Sequence, residues 1–265
     1  MKPMPFEDYR AIDAVNWSTL KYMGASALHY KDAVDNGTED NAAMALGRAI
    51  HTAILEPDEL PLRYVVWKNG DRRGKAWDEF KAANAGTDIL KAHEYDTCLR
   101  VRDAAFANAD VQKLLTGTSE VVKQWTDTDT GLLCKCRIDH VADGIALVDV
   151  KSTATLDRRL FENTAARLGY HGQAAFYQRG LGNTGAPAYV IAVEQSRPFD
   201  VAVFAWNGYA LAAGEAQVSD YLHRVLTCRE RGFWPGRYSG IQELSLPAWM
   251  ETDPETFGGL FGGDS

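Results

Sequence analysis

An acid and an amine stand two residues apart in the apolar run Leu147-Val-Asp-Val-Lys-Ser152. In an extended strand, residues two apart share a face, so Asp149 and Lys151 project together while Val148 and Val150 project the other way. A buried carboxylate and ammonium are costly unless they pair or meet a metal ion, and a plain structural ion pair is the alternative to chemistry. A second carboxylate, Asp139, lies on what reads as the neighbouring strand, "GLLCKCRIDHVA". Two carboxylates suit Mg²⁺, which takes few protein ligands and keeps its other positions for water and phosphate oxygens. A lysine beside them can orient or help deprotonate an attacking water and stabilise charge developing on phosphate. Together the three side chains describe a phosphodiester-hydrolysis site.

The strand connection decides whether they meet. With Asp143-Gly144 as a two-residue hairpin loop, Asp139 would face Val148 and project away from Asp149 and Lys151. A three-residue loop, Ala142-Asp143-Gly144, sets Asp139 opposite Leu147 and brings all three groups to one face. That loop, or an equivalent bulge, is expected, with Gly144 in the left-handed region.

Further strands are expected at 61–67 ("PLRYVVW"), in "SEVVKQWTDT", and in "AYVIAVEQ" and "FDVAVFAW". Helices are expected from an N-cap at Ser18 through "TLKYMGASALHYKDAV", from Asp40 or Asn41 to the stop at Pro57, over 87–115, over 157–180 and over 207–231. Gly47 and His51 lie one turn apart on the second of these, and Gln173 and Tyr177 share a face of the fourth. His171 sits about 160° round that helix from Gln173 and is left out of the site. The glycine-rich end, 251–265, reads as a frayed tail, leaving residues 1–250 as a single α/β domain with helical elaborations.

A chain of 265 residues, 46% hydrophobic, can fill a core. It has no apolar run long enough to span a bilayer, and its start, "MKPMPFEDYR", lacks a secretory signal, so a cytoplasmic protein with no membrane partner is expected. Cys98, Cys134, Cys136 and Cys228 show neither zinc-ribbon nor disulfide-framework spacing and read as reduced structural thiols. The net charge of −8 argues at first against a polyanionic partner. Residues 61–181, however, hold 18 Lys and Arg against 16 Asp and Glu, while the remainder holds 10 against 20. Arg72, Arg73 and Lys75, beside Trp77 in "DRRGKAW", form a tight basic cluster. They are read either as solvated surface or as phosphate-binding groups with an aromatic available to stack on a frayed DNA end.

Asp139 followed by Asp149-Val-Lys151 resembles the PD-(D/E)xK nuclease superfamily, with Ile138 where the name-giving proline would stand. Gly47-Arg-Ala-Ile-His51 is similar to the GxxxH helix of its RecB-like branch, Glu120 to the upstream acid, and Gln173-Ala-Ala-Phe-Tyr177 to the QxxxY helix. "GLLCKCRIDH", "DVKSTA", "YHGQAAFYQRG" and the closing "LSLPAWM" resemble RecE-type exonucleases (exodeoxyribonuclease VIII) from about Ser18 to Met250. The resemblance implies a central mixed sheet flanked by helices. It also implies a Mg²⁺-dependent exonuclease, with Mn²⁺ a substitute and two ions per site. Such an enzyme would degrade one strand of linear duplex DNA from its 5′ end, releasing mononucleotides and leaving a 3′ overhang.

By the same resemblance Asp139, Asp149 and His51 would be metal ligands and Lys151 the water-orienting base. Glu120 would act on metal or water at one remove, and Gln173 and Tyr177 would hold the scissile phosphate or terminal base. A ring-shaped trimer or tetramer, a RecT-type single-strand annealing partner, and a phage or prophage origin in a bacterial host are implied as well. Three other readings stand beside this one: an endonuclease of restriction or repair, a catalytically silent DNA-binding subunit, and a hydrolase of small phosphoesters.

Overall fold

The computed structural model describes residues 4–38, 41–143 and 146–247. Helix α1 (Phe6–Ala11) precedes α2 (Trp17–Leu20), which is capped not by Ser18 but by Asn16, whose side chain accepts from the Thr19 N–H at 3.1 Å. The helix expected to run on from here is broken. A 3-10 turn, Lys21–Gly24, intervenes, and Ser26 then accepts from the His29 N–H at 3.2 Å to start α3 (Ala27–Asp35) afresh. A serine hydroxyl that satisfies an orphan N–H favours a new helix start over continuation. Asn41 caps α4 (Ala42–Leu55) in the same way, through the Met44 N–H at 3.0 Å, close to the expected start.

The segment 61–67 is only half strand. Pro61 sits in the first turn of α5 (Leu60–Arg63), where its missing N–H costs nothing, and β1 is confined to Tyr64–Trp67. After α6 (Lys75–Ala83), the stretch expected to be helical from Thr87 opens instead with β2 (Asp88–Lys91), parallel to β1. Four residues are too few to reveal a period. Helix α7 (Ala92–Ala107) begins where the Lys91 N–H donates to Glu94 Oε2 at 2.7 Å, and Asn108 separates it from α8 (Ala109–Leu114).

Strands β3 (Gly117–Thr126), β4 (Leu133–Ala142) and β5 (Ala146–Thr153) follow. The helix expected over 157–180 is two, α9 (Arg158–Leu168) and α10 (Tyr170–Leu181), because Gly169 turns left-handed at φ +71°. A Cβ at Gly169 would lie 3.1 Å from the Trp17 ring, so the break seats α2 against the helix junction. Strands β6 (Ala188–Glu194) and β7 (Val201–Ala205) and helix α11 (Gly208–Arg231) complete the described fold.

The larger sheet has the order β3-β4-β5-β6-β7. Only β5 and β6 are parallel, and helices α9 and α10 supply the crossover that a parallel pair needs. One apolar cluster gathers Trp17, Leu20, Phe176, Val218 and Leu222 against one face of the sheet; another gathers Ile50, Ile54, Cys98 and Val101 against the other. The result is a mixed sheet flanked by helices, the expected α/β class. All four cysteines are free and buried.

The β4–β5 register is His140 with Val148, Val141 with Leu147 and Ala142 with Ala146. The connection therefore lies beyond Ala142 rather than including it. The ladder ends at His140–Val148, so the expected pairing of Asp139 with Leu147 is not formed. Gly144 lies outside the described residues, as do 251–265. Among the described residues no helix is long and apolar enough to cross a membrane.

Candidate active site

Asp139 stands where two ladders are interrupted. Between β3 and β4, Ser119 pairs with His140 and Val121 with Ile138, but the intervening Glu120 and Asp139 do not pair. Glu120 adopts φ +58°, rare for a residue with a Cβ. The inward faces also shift by one residue here. Cys134, Cys136 and Ile138 join the cluster under α10, whereas Ala142 joins the opposite one. Opposed irregular residues of this kind act as a bulge that re-aims side chains.

On the other side of Asp139, the β4–β5 ladder stops after three pairs and the strands separate. The Val150 N–H, left without a strand partner, donates to Asp139 Oδ2 at 2.9 Å. An unpaired buried N–H is costly, so the acid has a structural duty as well as a chemical position. His51, from α4, meets the same oxygen with Nε2 at 2.6 Å, and its Nδ1 lies 3.8 Å from Glu120 Oε1. Burial disfavours the imidazolium, but Asp139 and then Glu120 outweigh it and raise His51 to about 10. Burial likewise opposes ionisation of Asp139, yet His51, Lys151 and the Val150 N–H hold that carboxyl below the usual range.

Asp149 and Lys151 project from one face of β5 and pair at 2.8 Å. Burial pushes the Asp149 carboxyl up; Lys151 opposes and Asp139 adds to the effect, leaving it at about 6. Lys151 is raised, because Asp149 and Asp139 outweigh the burial that disfavours its charge. Its ammonium sits 4.8 Å from the centre of the Tyr170 ring. Gln173 donates to the Tyr177 hydroxyl at 2.9 Å, and both border a small cavity with Asp149 and Tyr170. Burial and then the two aspartates drive the Tyr177 phenol well above its ordinary range.

Glu120 is held by Arg137, whose Nε donates to it; Arg137 in turn stacks under Phe6 of α1, 5.4 Å from the ring centre. Lys135 fixes that helix by donating to the carbonyls of Tyr9, Arg10 and Ile12 at 2.9, 3.1 and 2.6 Å. Sequence reasoning missed Arg137, Lys135 and Tyr170. Arg137 lies two residues before Asp139, and Tyr170 one turn before Gln173, so spacing could have drawn attention to both.

The structure thus brings together His51, Glu120, Asp139, Asp149, Lys151, Gln173 and Tyr177. Among the described residues no three His, Cys, Asp or Glu side chains converge closely enough to hold a metal alone. That still fits Mg²⁺, which needs one or two carboxylates and completes its shell with water and phosphate. The raised Asp149 carboxyl beside a second acid is the response expected of a pair arranged for a cation. A ligand role for His51 requires a neutral ring with one nitrogen lone pair free, whereas Asp139 and Glu120 favour the imidazolium.

The basic cluster lies elsewhere, beside the β1–β2 pair, and its charges are matched. Arg72 donates to the Ile89 carbonyl at 2.7 Å and to Glu94 at 2.9 Å; Arg73 meets Asp71 at 2.9 Å and Lys75 meets Glu79 at 3.7 Å. Trp77 packs edge-on against Trp67, ring centres 5.4 Å apart.

A mixed sheet flanked by helices, with separated strands that carry Asp139, Asp149 and Lys151, is the architecture of a PD-(D/E)xK-type fold. The family described as "PDDEXK-like domain of unknown function (DUF3799)" matches residues 16–245, and the chain belongs to it. A solved structure from Eubacterium rectale, described as "Putative exonuclease", is similar in fold with a TM-score of 0.63 at 15% identity, covering 92% of this chain and 97% of that one. No curated protein matches the sequence.

Proposed function

We propose that this protein is a divalent-metal-dependent exodeoxyribonuclease that degrades one strand of linear duplex DNA. The observation that carries the reading is the acid pair with its lysine at the split between β4 and β5, inside a PDDEXK-like family. Mg²⁺, held by Asp139 and Asp149 with His51 adjacent, would supply Lewis-acid activation of water and of the phosphodiester. Lys151, anchored by Asp149 and lying under Tyr170, would orient the attacking water and stabilise charge on the phosphate. Gln173 and Tyr177, already bonded to one another, would hold the strand through a phosphate oxygen or base edge. Glu120, fixed by Arg137, would position His51.

Action at an end, 5′-to-3′ polarity, mononucleotide release, a ring of subunits and an annealing partner are supported by resemblance to RecE-type exonucleases. The name given to the Eubacterium rectale neighbour supports exonuclease action too. The test is a linear duplex labelled at its 5′ or 3′ end, beside a covalently closed circle, each with Mg²⁺. Early release of the 5′ label as a mononucleotide, with the circle intact, is expected. Opening of the circle would make the protein an endonuclease, and an inert wild type would leave a silent DNA-binding subunit.

A further inference from the structure

Lys135, Arg137 and Asp139 alternate along β4, on the face away from Cys134, Cys136 and Ile138, which lie in the apolar cluster under α10. Neighbours in such a row stand about 7 Å apart along the strand. Asp139 belongs to the site and Arg137 holds Glu120. The third charge, Lys135, is only 4% exposed, and its three bonds all go to main-chain carbonyls at the end of α1, those of Tyr9, Arg10 and Ile12. Its ammonium also lies 4.8 Å from the centre of the Tyr9 ring. A buried ammonium is costly unless its donors are satisfied, so Lys135 and the end of α1 hold each other in place.

The same segment runs on into the edge of β4. Strand β5 pairs with β4 only from His140 to Ala142. Beyond the split the Val15 N–H donates to the Leu133 carbonyl at 2.9 Å, and the Lys135 N–H donates to the Val15 carbonyl at 2.8 Å. An open strand edge presents unpaired backbone groups, and Val15 takes those at the far end of the split. Asn16 and Trp17 then tie the segment to α2 and to the Gly169 junction. At its other end Phe6 covers Arg137, with Arg10 6.0 Å from the centre of the same ring. Arg137 donates to Glu120 through Nε, but its Nη1 is buried without a hydrogen-bond partner among the described residues. An unmet buried donor is costly, so the guanidinium depends on its carboxylate and on the ring above it to stay where it is.

We propose that residues 5–16 are a positioning strap for the metal site. Lys135 pins α1, α1 sets Phe6 against Arg137, and Arg137 thereby fixes Glu120 beside His51. The inference rests on the reading of Asp139 and Asp149 as metal ligands. It makes Phe6 and Lys135 positioning residues, acting on the site through Arg137.

The test uses Phe6, which is 51% exposed, so that Phe6→Ala spares the core while Phe6→Trp keeps a ring for the guanidinium. Mg²⁺ binding is read without DNA, from the rise in melting temperature across a Mg²⁺ titration, beside single-turnover cleavage of a linear duplex. Loss of one cation–π contact should make Phe6→Ala need about fivefold more Mg²⁺ for half-maximal stabilisation and half-maximal cleavage, with its rate at saturating Mg²⁺ within about threefold of wild type. Phe6→Trp should restore the wild-type requirement. In an Arg137→Met background Phe6→Ala should add nothing further, since the two act in series. Lys135→Met should lose stability in EDTA and show the same Mg²⁺ shift. An unchanged Mg²⁺ requirement in Phe6→Ala, or a loss of stability in EDTA with the Mg²⁺ response intact, overturns the strap and leaves α1 as packing alone. A wild type that Mg²⁺ neither stabilises nor activates refutes the metal-site reading itself, and the strap's role with it.

Discussion

Asp149→Asn should make the metal-free protein more stable while removing its activity. A carboxyl raised from 3.8 to about 6 by burial and by Asp139 resists ionisation in the folded state. The side chain is 17% exposed, so solvent screens it little, and the shift corresponds to on the order of 3 kcal/mol. The folded protein binds more protons than the unfolded chain between those two values, so stability falls as pH rises from 3.8 to 6 and is level above. At pH 7.5 the whole cost is present; at pH 4.5 on the order of 1 kcal/mol remains. Asparagine keeps the shape and an acceptor for Lys151 without the charge, though a weaker one, so a net gain of about 1–3 kcal/mol is expected at pH 7.5.

Urea unfolding in EDTA at both pH values, differenced between variant and wild type, isolates this group from every other titration. Mg²⁺ should then reverse the order. Wild type gains about 2.7 kcal/mol at a hundredfold excess over Kd, whereas the variant, lacking one ligand, gains much less. A variant less stable than wild type at pH 7.5 in EDTA, or an advantage that does not shrink at pH 4.5, would refute the argument that two acids are held in tension.

Lys151→Ala should lower turnover by at least ~100-fold while keeping the Mg²⁺-induced gain in stability, the scale of a positioned proton-transfer or electrostatic group; equal activity in the variant would remove the lysine from the chemistry. Glu120→Gln and Arg137→Met should each raise the Mg²⁺ needed for half-maximal activity by about tenfold, and the double variant should be no worse than either, since the two act as one unit; additive losses would separate them. Replacing Arg72, Arg73 and Lys75 together with glutamine should change the salt slope of DNA binding by less than about one, because each already has a carboxylate, and anisotropy across a salt series measures it.

Much of the site was legible because its spacings are local. Period two placed Asp149 and Lys151 on one face, and a single helical turn set Gln173 beside Tyr177. What escaped depends on distant partners. The break at Gly169 is tied to a tryptophan far back in the chain, and the pairing of Arg72 depends on Glu94, three elements later. The strand β2 is too short to carry a pattern. The register argument assumed an unbroken ladder through Asp139, whereas Glu120 and Asp139 leave theirs together and β5 parts from β4, so Asp139 reaches β5 across that gap, through the Val150 N–H.

That parting gives the two acids different tasks. Asp139 accepts from a stranded backbone N–H and from His51, and Lys151 lies near enough to favour its charge, so it is ionised and fixed before any cation arrives. Asp149 has one strong partner, Lys151, and is disfavoured by burial and by its neighbour, so its charge is the one a bound cation would relieve. On the proposed reading, pairing a rigid ligand with a strained one would let a bound cation take over the Asp149 charge that now holds Lys151, leaving the lysine available to water and phosphate. A single carboxylate would then link the metal-holding residues to the lysine.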